Sequence, residues 1–245
     1  MSLFASRYGI IIACDISDGN ELSTLVEMTQ DLAFIQGYKI GMDLVVPHGI
    51  YKVTEIIRQY TDLPIIYDHQ KFGTDIPEIC GGKVLEVLKS AGINGVIAFP
   101  QSGIKTLQAI VKRCKELALT PVIGGEMTHG GYIVSEGGYI ADDAPERIYM
   151  DAAKLGVEYF VIPGTKLESM KKYCTELKRY IPEPKFLFPG IGKGQGGDIV
   201  AAFSAVQPYE SYAIVGRGIY AETNKREAAK VLWDNVKRQI GSQMY

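Results

Sequence analysis

Short runs rich in valine and isoleucine recur along this chain, each too short for a helix and each ended by glycine, proline or an acid. They are Gly9–Cys14, Phe34–Ile40, Leu63–Tyr67, Gly95–Phe99, Thr120–Ile123, Val157–Ile162, Lys185–Phe188 and Tyr212–Val215. Such runs fit buried strands, because β-branched side chains pack well on a pleated surface. Longer stretches with apolar residues at helical spacing lie between them: Glu21–Asp31, Ile50–Tyr60, Ile79–Ser90, Gly103–Leu117, Ala144–Leu155, Lys166–Tyr180, Gly196–Val206 and Ala221–Ile240. Strand and helix alternate eight times with no proline- or serine-rich linker. That order predicts an α/β protein with one (β/α)8 barrel over residues 1–245. The rival, a doubly wound open sheet, normally carries a glycine fingerprint after its first strand, and Asp15-Ile16-Ser17-Asp18-Gly19 is not one.

Composition narrows the function classes. The 245 residues are 47% hydrophobic and 22% charged, with a formal net charge of −2 and no basic stripe, so nucleic acid is not an expected partner. No apolar run approaches ~20 residues, which leaves no candidate membrane span. Met1 to Tyr8 lack the apolar stretch and cleavage site of a signal peptide, and the expected location is the cytoplasm. Cys14, Cys80, Cys114 and Cys174 are scattered without a CxxC pair, as expected of buried free thiols rather than disulfides or metal ligands. His48, His69 and His129 have no metal-ligand spacing, and Trp233 reads as core.

In a barrel of this kind the chemistry sits on the loops that follow the strands. Polar residues gather there: Asp15 after the first run, Lys39 in the second, Asp68 and Lys71 at the third, and Glu126, Thr128 and His129 after the fifth. The seventh run leads into Pro189-Gly190-Ile191-Gly192-Lys193-Gly194-Gln195-Gly196-Gly197-Asp198, where five of eight consecutive residues from Gly190 are glycine. Glycine frees the backbone to aim several N–H groups at one ligand, and the helix that follows favours an anion. After the eighth run, Gly216 and Arg217 add a close backbone approach and a guanidinium suited to phosphate. Loops after strands seven and eight are a recurrent phosphate site in barrels.

The third run continues Asp68-His69-Gln70-Lys71-Phe72-Gly73-Thr74-Asp75, so two acids flank a lysine, with Lys39 one strand earlier. Alternating charges hold one another ionised, and they can set a carboxylate and an ammonium against one substrate. The alternative is a structural ion-pair network at a strand end. His69 reads as a packing or hydrogen-bonding neighbour of Asp68.

Taken together, Ala13-Cys14-Asp15, Tyr38-Lys39-Ile40-Gly41, Asp68…Lys71…Asp75-Ile76-Pro77, Glu126-Met127-Thr128-His129, Pro189-Gly190-Ile191-Gly192 through Asp198, and Val215-Gly216-Arg217-Gly218-Ile219-Tyr220 resemble the orotidine 5′-monophosphate decarboxylase family over nearly the whole chain. The resemblance implies a homodimer that converts orotidine 5′-monophosphate to uridine 5′-monophosphate and carbon dioxide without metal or coenzyme. It implies that Lys71 protonates C6 while Asp68 stands against the departing carboxylate. Lys39 and Asp15 would touch the ribose and the charge array, and Asp75 would enter the partner subunit's site. Thr128 stands where the family has a serine that bonds the pyrimidine. Gln195 and Arg217, with Gly196 and Gly216, would hold the phosphate.

Three features depart from the family pattern. The family usually writes Asp-x-Lys-x-x-Asp-Ile, and this chain has one extra residue in each gap, which predicts a bulge or early strand exit at His69-Gln70. Ile79 stands where a threonine is common, and the glycine loop is one residue longer before Gln195. Two other readings remain open. A magnesium-dependent sugar-phosphate decarboxylase or aldolase of the same superfamily needs an acid near Lys39, where the sequence offers Gln36 and Gly37. A catalytically silent barrel would bind a phosphorylated ligand without turnover.

Overall fold

A computed structural model describes residues 2–68, 73–192 and 196–241. Among these residues the strands are β1 (Tyr8–Cys14), β2 (Ile35–Ile40), β3 (Ile65–Asp68), β4 (Gly95–Ala98), β5 (Thr120–Gly124), β6 (Tyr159–Val161), β7 (Lys185–Phe188) and β8 (Ser211–Val215). Each pairs in parallel with the next, and β8 pairs back onto β1 to close the barrel. The helices are α1 (Gly19–Thr29), α2 (Met42–His48), α3 (Ile50–Arg58), α4 (Pro77–Cys80), α5 (Lys83–Ser90), α6 (Ile104–Glu116), α7 (Ala144–Lys154), α8 (Leu167–Leu177), α9 (Ile199–Ala205), α10 (Arg217–Tyr220) and α11 (Lys225–Ile240). The expected single (β/α)8 barrel is thus the observed fold, with every expected strand found within two residues of its bounds.

Alternation along each strand divides the core in two. Ile10, Ile12 and Cys14 of β1 face the helix layer, while Ile11 and Ala13 face the barrel interior with Ile66, Ile97, Val122, Leu187 and Ile214. Phe4 closes the end opposite the site, its ring centroid 4.1 Å from that of Tyr212 and 6.0 Å from that of Tyr159. Trp233 is buried as expected and stacks on Phe34 at 5.4 Å. The four cysteines are free and buried, and burial pushes Cys114 up to about 12 and Cys174 up to about 11, so neither is a ready nucleophile. No helix among the described residues is long and apolar enough to cross a membrane.

Local chemistry sets the helix starts. Asp18 caps α1 by accepting from the Asn20 and Glu21 amides at 2.7 and 3.0 Å, and Asn224 caps α11 through the Glu227 amide at 3.0 Å. The single helix expected over Ile79–Ser90 is instead two, α4 and α5, parted at Gly81-Gly82. A Cβ on Gly81 would meet Ala109 of α6 at 2.8 Å, so the break lets α4 lie against α6. The helix expected from Gly196 begins only after Asp198, whose carboxylate caps it at the Ala201 amide at 2.7 Å. The helix expected from Ala221 begins only at Lys225, as α11, and the separate short helix α10 precedes it. α2 was not expected, because its seven residues are hemmed by Gly41 and Gly49 and contain Pro47.

Candidate active site

Register brings the charged residues together. Lys39 of β2 pairs with Ala13 of β1 and Ile66 of β3, and all three face inward. Asp15 and Asp68 lie two residues beyond those partners, hence on the same inward face, one pleat nearer the mouth. The long lysine side chain reaches up to both. Its Nζ donates to Asp15 Oδ1 at 3.0 Å and stands 3.0 Å from Asp68 Oδ2. The side chains of Lys39 and Asp68 are 9% exposed, and that of Asp15 is 43% exposed.

Burial works against the charge on Lys39, but Asp68 and then Asp15 outweigh it, and the ammonium is held well above the usual lysine range. Asp68 Oδ1 is buried and has no hydrogen-bond partner among the described residues. A polar atom in that condition costs free energy, and such atoms call for a functional explanation.

These three side chains line a cavity of about 140 Å³ at the barrel mouth. Thr128 after β5, Gly190 after β7 and Gly216 after β8 line the same cavity, with Ile97, Phe99 and Met127 among its apolar walls. Around Gly190 the backbone is tied to itself: the Gly197 amide donates to Gly190 O at 2.9 Å and the Gly192 amide to Gly197 O at 3.1 Å. Gly190, Gly192 and Gly196 have φ of 89°, 107° and 87°, a left-handed backbone that suits glycine. Gly216 precedes α10, and Arg217 opens that helix, exposed and without a carboxylate partner among the described residues.

Asp75 is placed differently. It is exposed and absent from the cavity lining. Its carbonyl accepts from Ser102 Oγ at 2.9 Å and Thr106 Oγ1 at 3.0 Å, and its Oδ1 accepts from the Ile76 amide at 2.7 Å. Ile76 and Ile79 beside it are each 56% exposed. Lys71, Gln195, His69 and the expected bulge at His69-Gln70 lie outside the described residues.

Sequence reasoning named Glu126 without a role and missed its partners. Glu126 is 4% exposed; Lys166 Nζ donates to Oε1 at 2.8 Å and Tyr173 OH to Oε2 at 2.7 Å. Lys166 also reaches Glu136 at 2.7 Å. Glu126 had a signal, an acid directly after a strand, whereas Lys166 and Tyr173 read as ordinary helix residues. Among the described residues no group of three or more His, Cys, Asp or Glu side chains is arranged to hold a metal ion.

Comparison with known proteins fits this geometry. Orotidine 5′-phosphate decarboxylase of Thermococcus kodakarensis is 30% identical over 230 residues, covering 93% of this chain and 96% of that protein. The same enzyme of Methanocaldococcus jannaschii is 32% identical, covering 90% and 95%. The crystal structure of the Methanocaldococcus jannaschii enzyme complexed with inhibitor BMP superposes with a TM-score of 0.77 at 25% identity, covering 94% of this chain and 98% of that one. The structure from Pyrococcus horikoshii gives a TM-score of 0.75 at 26% identity, covering 93% and 99%. Residues 9–232 match the family described as orotidine 5′-phosphate decarboxylase / HUMPS, and the chain belongs to that family.

Proposed function

We propose that this chain decarboxylates orotidine 5′-monophosphate to uridine 5′-monophosphate and carbon dioxide, a step of pyrimidine biosynthesis, using its Asp/Lys array without a metal or coenzyme. The observation that carries the reading is Asp68: a buried carboxylate at the cavity, locked by Lys39 at 3.0 Å on one oxygen and, among the described residues, unpartnered on the other. A substrate carboxylate set against that oxygen is repelled in the ground state, and the repulsion is relieved as carbon dioxide leaves. Lys71 is assigned the ammonium that stabilises the developing charge at C6 and delivers the proton. Lys39, fixed between two carboxylates, holds Asp68 in place and faces the ribose together with Asp15.

The phosphate is assigned to the Gly190–Gly197 loop, Gly216, Gln195 and Arg217, whose exposed guanidinium and glycine backbone suit a dianion. Thr128 is assigned the pyrimidine contact, since a threonine hydroxyl donates and accepts as a serine does. Asp75, outside its own cavity and beside exposed Ile76 and Ile79, is assigned to the site of a second copy in a homodimer.

The magnesium-dependent alternative gains no support at β2. Gln36 is buried and turned to the Ser6 amide at 2.9 Å and the Ala33 carbonyl at 3.0 Å, and it brings no acid beside Lys39.

Loss of the orotidine 5′-monophosphate ultraviolet band on mixing with purified protein tests the reading. Turnover is expected with and without EDTA, and Lys71→Ala is expected to lose at least ~3 kcal/mol of transition-state stabilisation while still binding uridine 5′-monophosphate. An EDTA-sensitive reaction, or a Lys71→Ala variant with near-normal kcat, would overturn it.

A further inference from the structure

We propose that Thr165 and Lys166, at the end of β6, are positioning residues that set Thr128 against the substrate by closing residues 126–136 into a ring. This rests on the reading of Thr128 as a pyrimidine contact.

A long loop joins β5 to α7, and its first residues form a wall of the cavity. A free loop of that length would place Thr128 poorly, because each unfixed residue samples several backbone states. Three contacts from the β6 end remove that freedom. Thr165 Oγ1 donates to the carbonyl of Thr128 itself at 2.9 Å. Lys166 Nζ donates to Glu126 at 2.8 Å and to Glu136 at 2.7 Å, bridging positions on either side of Thr128. Tyr173 of α8 holds the other oxygen of Glu126 at 2.7 Å, so that carboxylate cannot turn away.

The same clamp meets the anion side of the cavity. A Cβ built on Gly190 would come within 2.9 Å of Thr165 Cγ2 and 3.0 Å of Thr128 Cγ2. The bare Gly190 backbone therefore lies directly on the Thr128–Thr165 pair, and one contact fixes the spacing between the pyrimidine wall and the glycine loop. Contacts of this kind matter because displacement of a binding group by a fraction of an ångström loses its hydrogen bond.

A double-mutant cycle tests the coupling. Thr165→Val keeps volume and removes the donor, and Glu136→Ala opens the ring at its solvent side without stranding a buried charge. Each is made in the parent and in a Thr128→Ala background, with KM and kcat for orotidine 5′-monophosphate and Kd for uridine 5′-monophosphate as readouts. In the parent, KM and Kd are expected to rise together about fivefold with kcat nearly kept, since a contact made equally in both states is lost. In the Thr128→Ala background the same changes are expected to cost less than about twofold. A general loss of folded protein would instead lower apparent kcat and leave KM. Lys166→Arg, which keeps both ion pairs, is expected to rescue what Lys166→Met loses. Equal losses in both backgrounds, or none in the parent, would overturn the proposal. A parent that binds uridine 5′-monophosphate without turning over the substrate defeats the functional reading alone, and the cycle is then read on Kd. A parent that binds neither defeats both.

Discussion

On the β1–β3 side of the cavity the working groups are side chains: an ammonium buried between two carboxylates, each placed by strand register and each holding the others. On the β7–β8 side they are main chain, glycines in left-handed conformations, with one exposed guanidinium that has no ion-pair partner among the described residues. The first side is assembled before any ligand arrives, and its cost is met within the fold by mutual attraction of the charges. The second carries an exposed guanidinium with no ion-pair partner among the described residues, which suits it to an incoming anion. The contrast separates two tasks. A group that must act on a changing charge needs rigid preorganisation, whereas a group that only holds a handle needs to be available. Substitutions on the first side are therefore expected to damage stability and turnover together, and those on the second to damage affinity alone.

Lys39→Met breaks the comparison at its strongest point. The side chain is nearly isosteric, but Asp68 loses the cation that offsets its burial. The expected loss is about 3 kcal/mol of stability, the lower end of the range for breaking a buried pair, because Asp15 shares its charge with water. The pH dependence has a fixed sign. The Lys39 value is raised on folding, so its contribution is whole below about 10.4 and is lost only as pH climbs through the higher folded value. Thermal melts should show the full deficit near neutral pH, and a parent that approaches the variant only at strongly alkaline pH. A variant as stable as the parent at neutral pH would mean that the ion triad costs as much to bury as it returns.

Arg217→Ala tests the second side. Losing a charge-assisted contact is worth about 2 kcal/mol, read as a rise in KM with the fold's stability unchanged. The parent should discriminate strongly between the nucleotide and the phosphate-free nucleoside, and the variant should lose most of that discrimination. Equal discrimination in both would move the phosphate grip elsewhere.

Much of the charged side is legible in the sequence because strand periodicity is short and strict. Asp15, Lys39 and Asp68 each sit at the end of an apolar run, so their inward direction follows from their inward neighbours. The clamp was not legible. Lys166 sits at the start of a helical pattern, and Glu136 lies ten residues from Glu126 in a loop with no period, so only three-dimensional closure reveals that one lysine joins them. The helix division at Gly81-Gly82 was hidden for a related reason. Apolar spacing continues from Ile79 through Leu85 and Leu88, and the cause of the break, contact with Ala109, is distant in sequence.

Asp75 belongs to neither side of its own cavity, and where it acts decides whether the charged side is complete within one chain. Its backbone is held by Ser102 and Thr106, which fixes the loop while leaving the residue at the surface among exposed isoleucines. A twofold interface uses the same patch on both copies, so a dimer formed through this face would lend one aspartate and receive one at each site. Asp75→Asn and Lys71→Ala subunits, each inactive alone, separate the cases. On random exchange about half the dimers are mixed, and each mixed dimer carries one site with both lesions and one with neither, so activity should return to about a quarter of the parent's. Subunit exchange is verified by mass tags on the two variants. Exchange without recovered activity would mean that Asp75 serves the chain that carries it, and that the charged side is built from one subunit alone.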